Sequence, residues 1–127
     1  MFSKMSDKPR ELMITALVRA AMCERWASSS NDGPKESFFT VGLLSVLDAL
    51  MDRPMEEALT ELPVSTEVGS ALTHLEGSYG EALRCVLAYE RGEWDRVCYK
   101  DLRPMTIRSH YLDSLGWARR ISEGLEI

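Results

Sequence analysis

From Phe38 to Met51 the chain is apolar on nearly every side of a helix, interrupted by little more than Thr40, Ser45 and Asp48. A helix of that kind has no polar face to offer water, so it must be surrounded by other helices. It is also too short to span a bilayer. The rest of the sequence offers the surroundings, because apolar residues recur at steps of three and four almost throughout. No convincing run of alternating β-branched residues appears. The expected fold class is therefore all-α, a compact bundle of about seven helices with residues 38–51 at its centre.

Caps and breakers divide the chain. The first helix is expected from Asp7 or Lys8, with Pro9 in its first turn and Leu12, Ala16, Ala20, Cys23 and Ala27 along one stripe. It should end in Ser28, Ser29 and Ser30, before the turn residues Asn31, Asp32, Gly33 and Pro34. Ser37 is the expected N-cap of the central helix, Pro54 opens a short helix that Pro63 stops, and Ser65 caps the next one, with Glu67 near its positive end. Ser78 and Glu81 have capping-box spacing ahead of a helix that runs to Arg91 and stops at Gly92. A short helix carrying Trp94, Val97, Cys98 and Leu102 should end at Pro104. A last one, residues 105–123, should bury Tyr111, Leu112, Leu115, Ala118 and Ile121. Leu43, Leu47, Val86 and Leu87 are expected in the core.

The 127 residues make one domain, residues 1–127, and are too few for a (β/α)8 barrel of roughly 250. Seven Lys and Arg face ten Asp and Glu in residues 1–64, and eight face ten in residues 65–127, for a net charge of −5. No half is basic enough to make nucleic acid a main partner. Cys23, Cys85 and Cys98 lack CxxC spacing and read as reduced thiols, mostly core filler. The first eight residues have no apolar signal region, and no segment is long enough for a membrane span, so the expected compartment is the cytoplasm.

Chemistry is hard to find. A helical metal-dependent phosphohydrolase needs several His and Asp converging on an ion. Here His74 precedes Leu75 and His110 precedes Tyr111, with neither a His-Asp pair nor an HExxH motif. No nucleophile elbow and no phosphate-cradling glycine loop occurs. Glu56-Glu57 and the Glu90/Glu93 pair lie near helix ends, where acidic residues serve solvation or the helix dipole. Arg19 and Glu24 sit beside apolar positions of the first helix and read as half-buried, paired structural charges. Tyr89, Trp94, Tyr99 and Trp117 have Arg84, Arg91, Arg96, Lys100 and Arg103 in their neighbourhood, but Glu90, Glu93, Asp95 and Asp101 interleave with these and cancel the field a phosphate backbone needs. Catalytic, cofactor-binding and metal-binding residues are accordingly all expected to be none.

Three stretches, taken in order, resemble a known family. They are residues 10–24; residues 39–50 followed by Pro54-Met55-Glu56-Glu57 and Leu62-Pro63-Val64-Ser65; and Gly80-Glu81-Ala82-Leu83 followed by residues 87–94. Together they resemble HDOD domains, the HD-related output domains of bacterial signalling proteins, over about residues 9–97. The nearest subgroup is the one attached to cyclic-di-GMP phosphodiesterase barrels. The tripeptide Glu-Ala-Leu that names those barrels occurs at Glu57-Ala58-Leu59 and Glu81-Ala82-Leu83, as a coincidence of helix-forming composition. The family's N-terminal half, with its Asn-Ser-Ala segment, has no counterpart, so the chain looks like the C-terminal part of such a domain.

The resemblance implies a non-catalytic signal-output module that works through protein–protein contacts, with no cofactor and no enzyme activity. The alternatives are a regulatory fragment that binds a nucleotide such as cyclic di-GMP, for which Arg91 and Trp94 come closest to a suitable pair, and a vestigial metal-dependent phosphohydrolase. A core surface left uncovered by the missing half would be buried against a second copy, so a homodimer is expected.

Overall fold

The longest helix, α1, is Phe2–Ser29 in the computed structural model, which describes residues 2–29 and 33–124, and it carries Pro9 inside it rather than in its first turn. The helix begins upstream of the expected Asp7 or Lys8, since no Pro or Gly precedes Pro9 to stop it. Ser30, Asn31 and Asp32 of the expected turn lie outside the described residues. The remaining elements are α2 (Lys35–Leu44), α3 (Leu47–Met51), α4 (Met55–Leu59), α5 (Thr66–His74), α6 (Gly77–Arg91), a single 3-10 turn (Trp94–Arg96) and α7 (Pro104–Gly124). The all-α expectation holds among the described residues. Among the described residues five elements are α-helices of nine residues or more, two are α-helices of five residues and one is the 3-10 turn, in place of about seven helices.

The largest departure is in the apolar stretch. It is not one central helix but two, α2 and α3, broken at Ser45 and Val46. Ser45 turns its hydroxyl back onto the Gly42 carbonyl at 2.6 Å, and its own N–H donates to the same oxygen at 3.3 Å, closing α2 with a tight turn. Leu43 on α2 and Leu50 on α3 are 37 % and 53 % exposed, and Leu47 is half-buried. The expected burial of Leu43 and Leu47 is thus corrected. Val86 is buried as expected, whereas Leu87 is half-buried beside a cleft.

The centre belongs instead to α1 and α6. α1 packs on α2, α3, α6 and α7, and small residues at Ala16, Ala20 and Ala27 let its neighbours approach closely. Around Met22, Trp26, Phe38, Val86 and Ile107 lies one apolar cluster; Val41, Val68, Leu72 and Leu83 form a second beneath α4 and α5.

Local signals explain several boundaries. Ser65 caps α5 as expected, accepting from the Val68 N–H at 3.2 Å, and Gly92 ends α6 with φ +71. Ser37 is not a cap: Pro34, fixed near φ −66, takes that position and its carbonyl accepts from the Ser37 and Phe38 N–H groups. Nor do Ser78 and Glu81 form a capping box, because α6 already starts at Gly77, with Glu76 as its N-cap. The reversal is made one residue earlier by Leu75, which adopts the left-handed conformation at φ +56. Arg84 stabilises that bend by donating to the Leu75 carbonyl at 2.6 Å. The expected short helix at residues 94–102 shrinks to the 3-10 turn, with Trp94 66 % exposed. In α7, Ala118 is buried, Tyr111, Leu115 and Ile121 are half-buried, and Leu112 faces solvent. No helix among the described residues is long and apolar enough to cross a membrane.

Candidate functional site

Helical spacing brings two stripes face to face. On α1, Leu12, Thr15 and Arg19 follow one another at steps of three and four; on α6, Leu83, Leu87 and Glu90 do the same. Between them opens a cleft of about 510 Å³, floored by Leu72, Leu75 and Met55 and rimmed by Asp48 and Arg91. The break after α2 matters here, because it delivers Ser45 and Val46 to the same cleft.

Arg19 is the polar centre of this space. Its Nε donates to Glu90 at 3.0 Å and its Nη2 at 2.8 Å, a fork-on-carboxylate pair, while Nη1 donates to the Ser45 hydroxyl at 3.1 Å. The two charged side chains are 16 % and 22 % exposed. Every guanidinium nitrogen is engaged. The carboxylate also acts on its surroundings: burial first, and then the Glu90 charge, push the Tyr111 hydroxyl above its ordinary range. Tyr111 in turn packs on Tyr89 with ring centroids 4.7 Å apart.

A second cleft, about 480 Å³, lies between α1 and α7, with Glu24, Arg25, Asp113, Trp117 and Arg120 on its walls. Its charges are two of each sign, and Arg25 and Asp113 meet loosely at 3.5 Å.

The residues singled out from the sequence are scattered. Arg19 is half-buried and paired as expected, though its partner is Glu90, 71 positions away, in place of the helix-end role expected for Glu90 beside Glu93. Glu56 and Glu57 stand exposed in the first turn of α4. His74 ends α5 in solvent, whereas His110 accepts a hydrogen bond from the buried Trp26 indole at 3.0 Å. Burial, together with the Arg25 charge, lowers the His110 pKa from its ordinary value against a weaker opposing effect of Asp113. Cys23 and Cys85 are buried, and burial pushes both thiols up to about 12; Cys98 is exposed. The four aromatics form no single stacking platform. Tyr99 is stacked on Trp26 in the core at 5.0 Å, Trp94 meets Tyr89 edge-on at 5.4 Å, and Trp117 lines the other cleft. Arg91 lines the α1–α6 cleft, of which Trp94 is no part. Among the described residues no three His, Cys, Asp or Glu gather closely enough to hold a metal ion.

Two relatives match the chain. CdgJ of Vibrio cholerae serotype O1, named a cyclic di-GMP phosphodiesterase, is 32% identical over 124 residues, covering 92% of this chain and 28% of CdgJ. YuxH of Bacillus subtilis strain 168 is 30% identical over 116 residues, covering 89% of this chain and 28% of YuxH. The chain therefore spans little more than a quarter of the length of these relatives. No family model matches it. No solved structure matches it significantly.

Proposed function

We propose that this chain is a helical regulatory module of the HDOD type in cyclic-di-GMP signalling, acting through protein contacts and carrying out no phosphoester chemistry. Similarity to CdgJ along nearly the whole chain supports the signalling context. The ordered resemblance over residues 9–97 supports the domain type. The observation that carries the reading is the engagement of all three Arg19 guanidinium nitrogens. The guanidinium is held by Glu90 and Ser45, so the interior of the cleft offers an already engaged cation and a wall of Leu12, Met55, Leu72, Leu83 and Leu87, with Arg91 and the opposing Asp48 only at the rim. Such a surface suits apolar side chains of a protein partner better than a nucleotide's phosphates.

Incubating the purified chain with cyclic di-GMP and manganese, and separating the nucleotides by chromatography, tests the absence of chemistry. No linear dinucleotide above the blank is expected; sustained turnover overturns the reading. A protein-contact module also has its own copy as a candidate partner, and a homodimer belongs to this proposal. Sedimentation equilibrium at micromolar concentration is expected to give twice the 14.4 kDa chain mass. A single-chain mass without concentration dependence removes the dimer.

A further inference from the structure

The helix packing of α7 falls mainly on α1, supplemented by the Tyr111–Tyr89 contact to α6. Inside that seam sits a hydrogen bond whose acceptor titrates. Trp26, fully buried on α1, donates its indole N–H to Nδ1 of His110 on α7 at 3.0 Å. An accepting Nδ1 carries no proton, so the bond holds the ring neutral with its hydrogen on Nε2. A proton added at Nδ1 would set one N–H against another and leave the indole donor buried beside a donor. Water cannot rescue it while the seam is closed.

The charged groups that face His110 come from both sides. Arg25 on α1 opposes a second positive charge; Asp113, nearly one turn along α7, favours it; and the two meet each other at 3.5 Å. From the segment ahead of α7, the buried Tyr99 ring covers the indole at 5.0 Å. We propose that His110 is a proton-sensitive latch, which on protonation gives up Trp26 and releases α7 from α1. The docked ring binds a proton less readily than a free imidazole, because burial and Arg25 outweigh Asp113. In the released helix the ring regains its ordinary pKa of 6.5. Protons therefore favour release as the pH falls below that value, and the seam is secure above it. At pH 5.5 the released form should be more populated than at neutral pH, by a factor bounded by the difference between the free and docked affinities for the proton. Release uncovers the Trp26 and Tyr99 rings, so a drop in pH would expose an aromatic face on α1.

Amide hydrogen exchange of the full chain at pH 7.5 and pH 5.5, corrected for the intrinsic effect of pH on exchange, tests this. Protection in α7 is expected to fall at pH 5.5 while protection in α5, on the second apolar cluster, stays unchanged. His110→Gln, which offers an amide oxygen but does not titrate, should abolish the difference. A pH titration of the wild-type chain by NMR gives an independent reading: the Trp26 indole N–H resonance should shift with the same midpoint as the His110 ring. Equal loss of protection in α5 and α7, an unchanged pH response in His110→Gln, or an indole resonance indifferent to His110 titration would each overturn the latch.

Discussion

Gly42 lies so close to Arg19 that a Cβ on it would stand 2.5 Å from the Arg19 carbonyl oxygen. That near contact lets α2 cross α1 without a spacer, and three residues later it sets Ser45 against the Arg19 guanidinium. The fold and the cleft are thus fixed at one crossing point. Gly42→Ala is expected to destabilise the chain by about 1–3 kcal/mol, since backbone atoms have to move apart to admit the methyl group. Denaturant melts read this directly, as a fall in midpoint at unchanged slope.

The Arg19–Glu90 pair should be worth more than an ordinary surface pair. Its side chains are largely covered, whereas those of Arg53 and Glu61, 3.0 Å apart, are 50 % and 61 % exposed. A double-mutant cycle with Arg19→Met and Glu90→Gln should give a coupling of about 1–2 kcal/mol. A cycle on Arg53 and Glu61 should give about 0.5 kcal/mol or less.

Leu83 and Leu50 separate the true core from the apolar stretch that resembles one. Leu83→Ala, at a position 2 % exposed, should cost about 2–5 kcal/mol in a chemical melt. Leu50→Ala, at 53 % exposure, should cost less than about 0.5 kcal/mol. Similar costs at both positions would restore residues 38–51 to the centre of the fold.

Thiol labelling distinguishes the three cysteines. With Cys23 and Cys85 buried and shifted to about 12, their reactive thiolates are scarce near neutral pH. A disulfide-exchange reagent at pH 8 should consume one thiol promptly, at Cys98, and the other two only after denaturation. Prompt labelling of all three would mean that α1 and α6 part readily.

The helical class, the Ser65 cap and the Gly92 stop were legible because each rests on chemistry within a few residues. What misled was apolarity read as depth. Residues 38–51 are apolar all round, yet Ser45 ends α2 through a hydrogen bond that hydropathy does not register, and the second half turns toward the surface. α1, less hydrophobic on average than α2, is the central helix because Gly42 of α2 lets the two cross closely over Arg19 and Ala20. The cleft was invisible for a different reason. Arg19 meets Glu90 only after α1 and α6 have packed, and no local spacing announces a pair 71 positions apart. Leu75, in a conformation usually left to glycine, hid the start of α6 in the same way.

The claim that this module works through protein contacts and not through a nucleotide is tested most directly by calorimetric titration of the chain with cyclic di-GMP. With Arg19 engaged by Glu90 and Ser45, no saturable heat is expected up to millimolar nucleotide. Saturable binding in the micromolar range, weakened by Arg91→Ala at the rim of the α1–α6 cleft, would contradict it and make the cleft a nucleotide site.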